Sequence, residues 1–188
     1  MYITEYLSNE VKPGKVTYTP SQLLSAVHEY KLTHLPMFKG LDFLGNISEE
    51  DLTELAIEDK KVDYSSYLEN FFLSDSSTLL DAIQMMYTNQ TNILPIINEQ
   101  SKYLGSVTET DIISTFANFP FVSAEGVSML VSIAENDLSM TDISNIIEGN
   151  NGKIMGMMIV GNKEDSVYVL IKFSSSNLLT IGETFERY

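Results

Sequence analysis

The chain has 188 residues, 44% apolar and 20% charged, a balance that builds a buried core rather than a disordered segment, with length for one ordinary domain or two small ones. Twenty-six acidic against 11 basic residues leave a net charge of −15, and such a surface repels nucleic acid and anionic lipid, whose binding relies on Lys and Arg. The absence of cysteine excludes a disulfide framework, a thiolate zinc site and a cysteine nucleophile.

The N-terminal MYITEYLSNE lacks the basic-then-apolar order of a signal peptide, and no apolar run approaches the roughly 20 residues that span a bilayer. A soluble, cytoplasmic protein is the expectation. The first periodic stretch, TPSQLLSAVHEY, reads as a helix with Thr19 as N-cap, Pro20 at the first helical position and Gln22 three residues after the cap. Leu23, Leu24 and Val27 form its apolar stripe. A strand around Pro36-Met37 follows, then a polar turn, a strand ending near Ile47, and a helix opened by Ser48-x-x-Asp51. Residues 54–70, ELAIEDKKVDYSSYLEN, read as a polar connection.

SSTLLDAIQMMY is a second helix, with Ser76 or Ser77 as cap and Leu79, Leu80, Ile83 and Met86 as stripe. A strand around Pro95–Ile97, a strand ending near Val107 and a helix opened by Thr108-x-x-Asp111 follow. The junction FANFPFVSAEG then gives way to a different series. VSMLVSI is a strand. SMTDISNIIEG is a helix capped by Ser139 with Asp142 as partner, with Met140, Ile143, Ile146 and Ile147 on one face and Gly149 as stop. KIMGMMIVG and SVYVLIKF are strands joined by the turn GNKED. SNLLTIGETFERY closes as a helix with Leu178, Ile181, Phe185 and Tyr188 inward. This β-α-β-β-α order is a ferredoxin-like series one strand short, which predicts either a shortened chain or an edge supplied by a neighbouring copy.

The first two series are repeats. HLPMFKGLDFLGNISEEDL (34–52) and ILPIINEQSKYLGSVTETDI (93–112) share Leu-Pro, Leu-Gly and Ser/Thr-x-x-Asp in the same order. The last two elements recur sixty residues apart and the prolines fifty-nine, a difference that one loop residue explains. The Ser/Thr-x-x-Asp pairs are capping boxes on the simplest reading. The same carboxylates can also accept from the two hydroxyls of a ribose set beside a helix N-terminus, so both roles stand. Gly45 and Gly105 read as turn-formers at strand ends, and Leu35-Pro36 and Leu94-Pro95 as starts of edge-tolerant strands.

The repeated pattern, apolar-Leu-Pro-apolar-apolar, turn, apolar-Gly-x-apolar-Ser/Thr-x-x-Asp-apolar, resembles the CBS domain, named after cystathionine β-synthase. The resemblance covers residues 15–118 and implies a mixed α+β or α/β fold: two βαββα repeats, residues 1–60 and 61–120, forming a Bateman module. It further implies a non-catalytic regulatory module that binds an adenosyl ligand (AMP, ADP, ATP with Mg, or S-adenosylmethionine) and pairs as a homodimer. Ser48, Asp51, Thr108 and Asp111 would hold the ribose, the two copies being equally competent. His34, Met37, Ile93, Ile96 and Lys15 would lie near adenine or phosphate, His34 being a basic residue just before Leu-Pro. Residues 125–188 resemble an ACT domain, a ferredoxin-like βαββαβ regulatory unit, here βαββα(β) with the last strand missing and without the family's Asp-x-x-Gly turn. The whole arrangement is similar to acetoin-utilisation-type regulatory proteins. A ligand-free dimerisation scaffold with closed clefts is the competing reading.

Nothing in the sequence points to catalysis. No Gly-rich phosphate loop, nucleophile elbow or His-carboxylate motif is present. His28 and His34 without cysteine make no zinc site, and the methionines of KIMGMMIV read as packing rather than soft-metal ligands. No catalytic residue, metal ligand or obligatory cofactor is expected, and neither nucleic acid nor membrane is an expected partner.

Overall fold

The computed structural model describes residues 2–58 and 62–187. Thr19 accepts a hydrogen bond from the N–H of Gln22, whose side chain accepts in return from the N–H of Thr19, and this box opens α1 (Pro20–Tyr30). The helix ends on Lys31 in the left-handed conformation, φ 54°. The equivalent residue of the second repeat, Gln90, does the same at φ 48°. Neither is glycine, so no letter in the sequence marks these stops.

The chain divides into two units, one up to Thr115 and one from Phe116 onward. The first contains two three-stranded sheets of the same design. In one, β1 (Gly14–Lys15) runs parallel to β2 (His34–Lys39), which pairs antiparallel with β3 (Asp42–Ser48); α2 (Glu49–Ala56) follows. In the other, β4 (Leu73–Ser74), β5 (Ile93–Ile97) and β6 (Tyr103–Thr108) repeat the order, with α3 (Leu79–Asn89) before β5 and α4 (Glu109–Ala117) after β6. Leu23, Val27, Leu35, Met37, Ile47 and Leu52 are fully buried in one cluster, joined by Ile93 from the second repeat.

β2 and β5 are central strands, not edges. Their prolines are tolerated because pairing with β1 and β4 begins one residue later, at Met37 and Ile96, so the missing N–H of Pro36 or Pro95 has no partner residue on that side. The cap of α3 is Thr78, bonded to Asp81, whereas Ser77 accepts from the N–H of Ser74 in the turn before it. The inward face of α3 is Leu79, Ala82 and Met86; Leu80 and Ile83 are 69% and 41% exposed. Residues 54–70 are not merely a connection: Tyr64 is buried in the first core and donates its hydroxyl to Tyr18 O at 2.8 Å.

Gly45 and Gly105 do not turn the chain at strand ends. They sit inside β3 and β6 at φ 144° and 156°, each next to the extra residue of a bulge in its own strand, Leu44 and Leu104. A Cβ on Gly45 would lie 2.8 Å from Leu68 Cβ and 3.0 Å from Glu69 O, and one on Gly105 2.9 Å from Leu7 Cδ2. These positions let a distant segment reach the sheet. Asn46 exchanges two backbone hydrogen bonds with Glu69 (2.8 and 2.8 Å), and Ser106 does so with Ser8 (3.1 and 2.9 Å).

The second unit contains a short α5 (Pro120–Ser123), β7 (Val127–Ala134), α6 (Met140–Glu148), β8 (Lys153–Lys163), β9 (Ser166–Ser174) and α7 (Leu178–Phe185). Its antiparallel sheet has the order β7-β9-β8. Along β9, Val167, Val169, Ile171 and Phe173 alternate inward and meet Ile143 and Ile147 of α6 and Ile181 of α7. Lys163 pairs with Ser166, so the hairpin turn is Glu164-Asp165 rather than five residues. Gly149 caps α6 in a right-handed conformation, and Asn151 takes the left-handed one. Leu178 is 39% exposed rather than inward, and Tyr188 lies outside the described residues.

Candidate functional site

Ser48 is the last residue of β3 and the N-cap of α2, and register places it opposite His34. Its hydroxyl donates to Asp51 Oδ2 at 2.7 Å, while the N–H of Asp51 donates back to Ser48 Oγ at 3.0 Å. Thr108 and Asp111 reproduce this pair at 2.7 and 3.2 Å, and the Thr108 N–H adds a third bond to Asp111 Oδ2 at 2.8 Å. The two copies are therefore not equivalent. Among the described residues Asp51 accepts from one hydroxyl alone, whereas Asp111 also binds its cap's backbone. Asp51 has the more acceptor capacity left for a ligand.

His34 is buried beside Ser48, with Nδ1 3.0 Å from Thr33 Oγ1 and Nε2 3.4 Å from Glu69 Oε1. Phe71 meets its ring edge-on, with centroids 5.4 Å apart. Burial holds its pKa below the ordinary 6.5, against the opposing pull of Glu69 and Asp51. Thr33 joins the repeats. Its N–H donates to Asn92 Oδ1 at 3.0 Å, and the N–H of Asn92 donates to Thr33 Oγ1 at 3.1 Å. The carbonyls of the same two residues accept from the first N–H groups of α2 and α4, those of Glu49 and Glu109.

These elements surround a cavity of about 590 Å³. Its walls are Thr33 and His34 of the β2 entry, Ser48, Glu49, Glu50 and Asp51 at the start of α2, Glu69, and the C-terminal end of α3 at Thr88, Asn89 and Gln90. A second cavity of about 310 Å³ has the apolar wall Val16, Leu44, Val62 and Leu68.

Of the residues expected from the sequence, the larger cavity brings together Ser48, Asp51 and His34. Thr108 and Asp111 form their box at the start of α4 and do not line that cavity. Met37, Ile93 and Ile96 are 0% exposed; they fill the core and offer a ligand no surface, because the inward side of a central strand is covered by helices. Lys15 is exposed, stands 5.8 Å over the Tyr18 ring, and lines neither cavity. Glu69, Thr33 and the α3 terminus were not read from the sequence. Glu69 carries no local signal, since its place depends on the bridge to Asn46 across Gly45. Thr33 had a faint one, as the residue before the Leu-Pro strand.

Residues 68–118 match the model of the CBS domain. Solved structures of similar fold include a CBS domain pair/ACT domain protein from Thermotoga maritima, 18% identical over 62% of this chain and 96% of that one, with a TM-score of 0.54. They also include CBSX2, a CBS-pair protein from Arabidopsis thaliana, in its complex with AMP (17%, 61% and 95%, 0.50). A third is a CBS domain pair in complex with 5′-methylthioadenosine and S-adenosyl-L-methionine (17%, 62% and 99%, 0.50). The second repeat thus carries the sequence pattern of a CBS domain, and the chain contains the fold of a CBS domain pair.

Proposed function

We propose that the first unit is a non-catalytic sensor of an adenosyl ligand, held in the cleft at Asp51. The observation that carries this is the Ser48-Asp51 pair opening on a 590 Å³ cavity between the repeats, a volume in the range of small-molecule sites. Asp51 accepts from the ribose hydroxyls, and Ser48 shares that network. AMP, ADP, ATP and S-adenosylmethionine are the candidate ligands, AMP and S-adenosylmethionine being present in structures of similar fold. Thr33 both lines the cavity and bonds Asn92. A ligand favouring one arrangement of that joint biases how the repeats meet, and through the Asn92 carbonyl the start of α4.

In this reading residues 1–60 and 61–120 are the two repeats of a cytoplasmic regulator that pairs as a homodimer, and residues 125–188 are an ACT-like unit. The connectivity and strand order β7-β9-β8 support the last point. The second reading, a scaffold with no small ligand, draws on the burial of Met37, Ile93 and Ile96.

Thermal-shift titration with the four ligands separates the two. A ligand at about one hundred times its Kd stabilises the folded state by about 2.7 kcal/mol, a shift of several degrees. Asp51→Ala should abolish the shift while Asp81→Ala, a cap remote from the cavity, keeps it. No response to any ligand would sink the sensor reading.

A further inference from the structure

The cleft at Asp51 has an unusual charge for a nucleotide site. Four carboxylates line it, Glu49, Glu50, Asp51 and Glu69, and among the described residues its wall contains no Lys or Arg. The N-terminus of α2, the place where backbone N–H groups would otherwise favour a phosphate, carries three of them in its first turn. The C-terminal end of an eleven-residue helix, α3, whose dipole presents partial negative charge, also lines the cleft. The single imidazole, His34, is turned to Glu69 and Thr33, and burial disfavours its cation. The surrounding field, at a net charge of −15, has the same sign.

We infer that this cleft selects an adenosyl ligand bearing positive charge, not phosphate, at its 5′ position, with a sulfonium such as that of S-adenosylmethionine as the fitting chemistry. The inference rests on the adenosyl reading of the Asp51 cleft. The ribose is held as before. The 5′ substituent then points among Glu49, Glu50 and Glu69, where a cation is attracted and a phosphate dianion is repelled from each side. Selectivity comes as much from rejecting the phosphate as from holding the cation.

Calorimetric titration of the full chain at neutral pH with S-adenosylmethionine, 5′-methylthioadenosine, AMP and ATP tests this. The expected order of affinity is S-adenosylmethionine, then the neutral thioether, then AMP, then ATP, with at least about tenfold between the first and AMP. The gap should narrow as salt is raised from about 0.05 to 0.5 M. It should also narrow severalfold in the Glu50→Gln, Glu69→Gln variant, whose exposed or half-buried positions leave the core untouched. AMP or ATP binding as tightly as S-adenosylmethionine overturns the charge selectivity and leaves the adenosyl reading standing. A preference that the variant does not alter overturns its assignment to this cleft. Failure of every adenosyl compound to bind removes both readings together.

Discussion

Three Ser/Thr-x-x-Asp boxes open α2, α3 and α4 with hydroxyl-to-carboxylate distances of 2.7 Å each. Asp81, in the α3 box, is wholly exposed, and the bonds from Thr78 hold its carboxyl below the usual range. It is a cap and nothing more, so box geometry does not identify a ligand site. What separates Asp51 is its neighbourhood: a cavity, a buried histidine and a carboxylate accepting one bond fewer than its counterparts. His34 gives this neighbourhood a pH signature. Its folded pKa lies below 6.5 because burial disfavours the cation, so the unfolded chain takes up the proton first. The stability it contributes is full above that value and is lost as pH falls through the folded pKa. Tm should therefore drop as pH is lowered from about 7.5 to 5.5, and His34→Gln should flatten that slope. An equal slope in both proteins would assign the dependence to other groups. The box and the basic residue before Leu-Pro were legible in the sequence, because both are local. Glu69, which faces that histidine, was not, because only the folded chain brings it there.

Among the elements, α1, α2, α4 and α6 start at the caps their sequences offer, whereas the cap of α3 comes one residue after the serines, at Thr78. For the stripe of α3, side-chain size favours Leu80 and Ile83 over Ala82. In the structure Ala82 shares the buried face with Leu79 and Met86, while Ile83, at the same three- and four-residue spacing from them, stays 41% exposed. The glycines of β3 and β6 carry the local signal of a turn but serve as contact points for backbone arriving from residues 69 and 8. Gly45→Ala should cost about 2 kcal/mol or more, since a Cβ meets Glu69 O at 3.0 Å from a backbone conformation that side chains avoid. Gly161→Ala, with nothing within 4 Å of the added carbon, should change stability by no more than about 0.5 kcal/mol. Urea unfolding of the two variants measures both. Equal effects would mean that the close approach of Glu69 is not what the glycine serves.

For the molecule as a whole, charge is the dominant property. Twenty-six acidic residues against 11 basic ones repel one another in the compact state. Screening shortens that repulsion, so raising ionic strength from about 0.02 to 0.5 M should raise Tm, the reverse of what a protein held by surface ion pairs shows. A fall in Tm over the same range would locate stabilising ion pairs that outweigh the net charge. Among the described residues no helix is long and apolar enough to cross a membrane. The two units build separate cores, one around Leu35, Met37 and Ile47 and the other around Val169, Ile171 and Phe173.

By itself the sequence determined the repeat, the order of helices and strands, the caps at Thr19, Ser48, Thr108 and Ser139, and the excess of negative charge. Each depends on residues within one turn or on a sum over the chain. Folding is what buries Met37, Ile93 and Ile96 in the core, turns Asp51 rather than Asp111 to the larger cavity, and sets Glu69 in the same cavity as Glu49, Glu50 and Asp51. Glu69 reaches that cavity through backbone bonds to Asn46, and α3 brings its C-terminal end to the same cavity. Those contacts join segments far apart in the chain, so no window of the sequence contains both partners.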